Sequence, residues 1–262
     1  MTKSLLTEPP VKEFVFPRIL EARGANGEKM LHIREGLTLS LEKSKLFSEN
    51  FVFSMVDDVN YSNSSLNVKQ IEESLYQDRK YGSSLVVQEL NGYVQVSGIL
   101  TDTLSIKPVP FNPRSKDGIV AHLISTFNDT SIPMYADYVD YTNVTQRPFW
   151  GDIHREGIRR LRQIVLIETR ILYDDALQKQ KGSNLNQYLG IVMNKVNVLY
   201  TALQTPRPHF VVVGIHKLLS KSHLKLTPGR QLKVCNSLEP LNKFVFRSWR
   251  RDAHDVVAFV SG

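Results

Sequence analysis

Apolar and polar positions alternate with a period of two through most of the first hundred residues, and the period lengthens near residue 185. Residues 14–20, 29–33, 37–41 and 46–53 show the alternation of half-buried strands, with Gly24, Gly27 and Gly36 separating the first three. Runs at 84–90 and 92–98 bracket Asn91-Gly92, a two-residue hairpin signal, and short strands follow at 98–100 and 103–108. Several short strands with turn signals predict an antiparallel sheet or barrel. Residues 109–150 carry Pro110, Pro113, Pro133 and Pro148 among scattered Asn, Asp and Ser, which reads as a loop-rich connection with one strand at 119–124.

Beyond residue 163 the pattern predicts a different architecture. Residues 164–173 form a β-like run. Leu185, Tyr188, Leu189, Val192, Val196, Leu199, Tyr200 and Leu203 then recur at three- and four-residue spacing, as on one helix face, with Ser183 or Asn184 as cap and Pro206 just past the end. A continuous apolar strand follows at 209–215. Strand, helix and buried strand make a βαβ unit and hence a parallel sheet. A second helix is expected from Ser237 to about Arg250, and a terminal strand after it. The predicted fold is thus a mostly-β antiparallel unit (1–150), a basic linker (151–162) and an α/β unit (163–262).

Charge follows the same division. Residues 1–150 hold 15 Lys and Arg against 18 Asp and Glu, a net of −3, whereas residues 151–262 hold 18 against 8, a net of +10. A basic module raises nucleic-acid binding as a reading. No RNP aromatic pair, GxxG loop or zinc-knuckle spacing accompanies the charge, so a solvated basic face is the simpler account and no nucleic-acid partner is expected. With 42% hydrophobic and 23% charged residues the 262-residue chain has the composition of a folded protein. No apolar run is long enough for a transmembrane helix, and the first residues show no signal-peptide core. A single cysteine, Cys235, precludes an internal disulfide, which by itself suggests a reducing compartment. The sequons at Asn60, Asn63, Asn128 and Asn143 point the other way, to a secreted glycoprotein.

Catalytic motifs are absent from the sequence. No two of the seven histidines are four apart, so no helix presents the i, i+4 pair that binds zinc. His216 and His223 are seven apart and could share a helix face, but no carboxylate lies between them to act as a base. Neither GxSxG, a Walker A loop nor GxGxxG occurs. Cys235 reads as a small buried apolar residue rather than a nucleophile.

Three segments nevertheless resemble the reprolysin (adamalysin/ADAM) branch of the metzincin zinc endopeptidases, and most of all the salivary metalloproteases of ticks. Residues 13–23, 37–51 and 98–108 look like strands of the family's β-rich prodomain. Residues 167–175, in which Glu168 precedes Asp174 by six positions, are similar to the first strand of its catalytic domain. The helix from Leu185, the strand at 208–215 and the run 254–262 follow in the family's order. The resemblance implies a two-domain zymogen: a prodomain, then a truncated α/β metzincin-like catalytic subdomain. The intact relative would hydrolyse protein or peptide substrates with zinc held by three histidines and a Glu acting on the bound water. Those residues belong to an HExxH helix expected beyond residue 262, so this chain is expected to be inactive alone.

The resemblance also implies a structural calcium held in part by Glu168 and Asp255, and cutting by a processing protease at the basic cluster between Arg159 and Arg162. It implies secretion, although no signal peptide is visible. One departure is clear: no cysteine precedes Cys235, so latency through a zinc-ligating thiol is absent. A different class of function stays open, a non-catalytic secreted binding or inhibitory protein built on the prodomain.

Overall fold

The computed structural model describes residues 12–21, 28–56, 61–64, 66–90, 93–109, 120–127, 164–203, 206–228, 232–249 and 254–262. The first unit is a nine-stranded antiparallel sheet. Its strands are β1 (Lys12–Val15), β2 (Arg18–Glu21), β3 (Lys29–Arg34), β4 (Leu37–Lys43), β7 (Leu75–Asp78), β8 (Ser83–Leu90), β9 (Tyr93–Ile99), β10 (Leu104–Pro108) and β11 (His122–Thr126), in the order β1-β11-β10-β9-β8-β7-β4-β3-β2. Leu90 pairs with Tyr93, as a two-residue hairpin connection requires, while Asn91 and Gly92 themselves lie outside the described residues. The inward-facing Leu31, Leu39, Leu41, Leu85, Val96 and Ile124 form its core.

A second, five-stranded sheet has the order β14-β12-β13-β5-β6, from β5 (Phe47–Val56), β6 (Tyr61–Ser64), β12 (Ile164–Tyr173), β13 (Arg207–Leu218) and β14 (Val256–Val260). β12 runs parallel to both β13 and β14, and β13 runs parallel to β5; only β6 is antiparallel. The strand at 46–53 looked, by its alternation, like one more antiparallel member of the first sheet. It instead extends the parallel sheet of the second half. Alternation encodes which face is buried, not which neighbour a strand takes.

Helices cover both faces of this second sheet. Helix α3 (Leu185–Tyr200) connects β12 to β13, giving the expected βαβ unit, and α4 (Val234–Trp249) precedes β14, with Cys235, expected to be buried, instead exposed in its first turn on the face turned away from the sheet. Two short helices were not legible in the sequence: α1 (Val68–Ser74), capped by Asn67 accepting from Gln70 N–H, and α2 (Asp175–Lys181), capped by Asp174 accepting from Leu177 N–H at 2.8 Å. Each has seven residues, too few for an apolar period to show.

Alternation along β12 sorts the core cleanly. Ile171 and Tyr173 face α3 with Leu185, Leu189, Met193 and Ile215, whereas Leu172 faces α4 with Val56, Leu218, Leu241, Phe244 and Trp249. The α3 side is shared with the first sheet. β8 is buried on both faces, with Leu85 and Val87 entering the first core and Val86 the α3 core. Ser84 Oγ donates to the Ile191 carbonyl at 2.8 Å and accepts from Asn194 Nδ2 at 3.0 Å. At the rim Lys195 Nζ donates to Gly82 O and Asp102 Oδ1, both at 2.6 Å. One hydrophobic core therefore joins residues from both ends of the chain, and α3 is packed between the two sheets.

Candidate functional site

The histidines, the side chains that most often ligate metals, are scattered over the fold. His32 lies on β3 beside Thr38 Oγ1 at 3.0 Å. His122 on β11 is fully buried, accepting from Val96 N–H at 2.9 Å, and burial lowers its pKa. His209 and His216 lie on β13; His223 follows that strand and stacks on Phe244 with ring centroids 4.6 Å apart. His216 and His223 thus share no helix face. Among the described residues no group of three or more His, Cys, Asp or Glu side chains converges as a metal site, so no zinc-dependent step is derived from them.

The positions expected at a calcium ion are brought together at the edge of the second sheet. Asp255, just before β14, accepts from Glu168 N–H through Oδ2 at 2.9 Å, and its own N–H donates to Glu168 O at 2.8 Å. The pair brackets the start of the β12–β14 ladder. Two carboxylates fall well short of the 6–8 oxygens calcium takes. Arg159 and Arg162 lie outside the described residues, as do Asn60, Asn128 and Asn143; Asn63 lies on β6 opposite Ser54.

The most concentrated polar chemistry is a buried row across three strands on the α4 face. Ser54 (β5), His216 (β13) and Arg170 (β12) all point to this face, and Ser54 and His216 are direct neighbours in the parallel register. His216 Nδ1 is 2.7 Å from Ser54 Oγ and its Nε2 is 3.1 Å from Arg170 Nη1. Trp249 closes the row from above: its ring lies 4.5 Å from the His216 ring, with the Arg170 guanidinium 5.3 Å from the indole centroid. His254 approaches the same indole at 6.3 Å.

A hydrogen-bonded serine and histidine invites a nucleophile–base reading, which the third partner excludes. Arginine can only donate, so Nε2 must accept and the proton resides on Nδ1, which donates to Ser54 Oγ. The imidazole lone pair then faces Arg170, and none faces the serine hydroxyl to take its proton. Burial, the Arg170 charge and His254 together push the His216 pKa down to about 3, so the ring is neutral at physiological pH. The row acts as a polar lock that ties β5, from the first part of the chain, to β12, β13 and α4.

Gly214 makes room for this lock. A Cβ there would stand 2.6 Å from His216 Nε2 and 3.2 Å from Val52 O. The ring is held between Ser54 and Trp249 and cannot swing away cheaply. Gly214→Ala is expected to displace the Arg170 contact and cost about 1–3 kcal/mol, measured as a shift in the urea unfolding midpoint. An unchanged midpoint would mean the ring is not seated there.

Nothing in the sequence placed Ser54 or Arg170 at a site. The His216–Ser54 pair spans 162 positions and leaves no local signature.

No protein-family model matches the chain. Venom metalloproteinase BumaMPs1 of Olivierus martensii is 25% identical over 248 residues, covering 90% of this chain and 60% of that protein. Venom metalloproteinase antarease TserMP_A of Tityus serrulatus is 25% identical over 197 residues, covering 73% of this chain and 44% of that protein. The chain is distantly similar to metalloproteinases of venoms. It spans 60% or less of the length of these two relatives.

Proposed function

We propose that this chain is the propeptide-like unit and the first part of the catalytic domain of a secreted, zinc-dependent metalloendopeptidase of reprolysin type. One observation carries the reading. The similarity to venom metalloproteinase BumaMPs1 runs through 90% of the chain, across both the antiparallel sheet and the β12–α3–β13 unit. The parallel sheet covered by helices on both faces is consistent with the catalytic half expected from the resemblance. In this reading the substrates are proteins or peptides, and zinc and its ligands are supplied by sequence following Gly262. The α3 core and the β5–β13 pairing would hold the antiparallel unit in place, and a cut near Arg159–Arg162 would sever only the covalent link between the two units.

The test compares two polypeptides. The purified 262-residue chain is expected to hold no stoichiometric zinc and to show no chelator-sensitive peptidase activity. A longer polypeptide expressed from the same gene is expected to show both. Zinc-dependent hydrolysis by the 262-residue chain, or a longer product inert after processing, would overturn the proposal. If the longer product is inert but captures an active metalloproteinase, the non-catalytic inhibitor reading takes its place.

A further inference from the structure

A pocket of about 240 Å³ opens where β12 and β13 begin, on the side of the second sheet that faces β7 and α3. Its volume lies below the roughly 300–1,000 Å³ typical of sites for drug-sized ligands, which limits an occupant to a group of about one amino-acid residue. Two kinds of wall meet in it. Ile164, Leu166 and Pro208 supply apolar surface, and Ile164 and Leu166 are 45% and 62% exposed. Arg79, Arg207 and His209 supply three basic groups, and no Asp or Glu occurs among the described residues lining the pocket.

The basic groups are set by the fold rather than scattered on a surface. Asn197, which is buried, fixes the strand beside His209: its Nδ2 donates to Phe210 O at 2.9 Å and its Oδ1 accepts from Phe210 N–H at 2.7 Å. The His209 ring donates to the Lys45 carbonyl, which leaves its second nitrogen for another partner. Arg79 reaches Glu42 Oε2 at 3.1 Å in a pair about half exposed on both sides, a contact too weakly held to neutralise it. Burial, with Arg207 and Arg79 adding repulsion, lowers the His209 pKa, and a bound anion would relieve that repulsion.

We infer that this pocket binds a carboxylate carried on a small branched apolar group, with Arg207 and His209 receiving the carboxylate and Ile164, Leu166 and Pro208 receiving the apolar body. The pocket is built from residues the proposed protease function does not use, and the inference does not depend on that function. Protonated His209 adds a second donor next to Arg207, so affinity rises as pH falls below the ordinary histidine range, and the bound anion itself favours the protonated ring. The charged groups facing the ring are Arg79 after β7 and Arg207 on β13, with Glu42 on β4 reaching Arg79 from outside.

The test uses the 262-residue chain labelled for histidine ring signals in nuclear magnetic resonance. 4-Methylpentanoate is titrated in, with its neutral amide, inorganic phosphate and N-acetyl-leucine in parallel. The acid is expected to shift the His209 signals saturably, to bind roughly tenfold or more tightly than the amide, and to bind more tightly at pH 5.5 than at pH 7.5. Arg207→Gln and, separately, Arg79→Gln should each weaken it, the first more. N-acetyl-leucine binding as well as or better than the free acid assigns the site to peptide C-termini; weaker binding assigns it to small free acids. Equal binding of acid and amide, equal binding of phosphate, or shifts that never saturate would overturn the inference.

Discussion

Acidification is expected to unfold this protein through His216. The ordinary histidine pKa, near 6.5, holds in the unfolded chain, whereas in the folded lock the value falls to about 3. Between those values the unfolded state binds a proton that the native state refuses. The contribution is therefore fully present above about pH 6.5 and is lost progressively as pH falls toward 3. At about 1.4 kcal/mol per unit the ceiling is on the order of 5 kcal/mol, a large share of the 5–15 kcal/mol that holds a typical domain folded. His122 and His209 have lowered pKa values too and add to the same trend. Urea unfolding of wild type and His216→Gln at half-unit pH steps isolates the His216 share. The wild type should lose stability more steeply below pH 6.5 than the variant. Parallel curves would show that the ring is not buried beside Arg170.

Trp249→Ala is expected to cost about 3–5 kcal/mol, the usual range for removing a buried large aromatic. Trp249 is 2% exposed and contacts His216, Arg170 and Phe244 at once. Its loss opens a cavity and also lets water reach the polar row beneath. Leu238→Ala on the outer side of α4, where the residue is 47% exposed, is the control and should change stability by no more than about 0.5 kcal/mol. Equal, small effects from both would mean that α4 does not pack on the sheet as described.

Elements set by local periodicity could be read directly from the chain. The spacing from Leu185 predicted α3 and the flanking apolar runs predicted β12 and β13, giving the βαβ unit at nearly its observed bounds. Helix α4 begins at Val234, three residues before the predicted start at Ser237. Hidden features depend on which distant elements become neighbours. The β5 run looks the same whether it joins an antiparallel or a parallel partner, so its pairing with β13 was not visible. Arg170 reads as an ordinary strand residue, Ser54 falls just past the run at 46–53, and His216 stands out only as a possible helix-face partner of His223, until the parallel register sets the three in one row. The resemblance singled out Glu168 and Asp255, and the structure places them on adjoining strand positions, where each supports the other's backbone.

Reading the source transcript through and beyond the codon for Gly262 tests the proposed assignment to a zinc metalloendopeptidase. An open frame that continues into an HExxHxxGxxH motif is the expected result. A stop codon directly after Gly262 would contradict it, and the fold would then serve a binding role without catalysis.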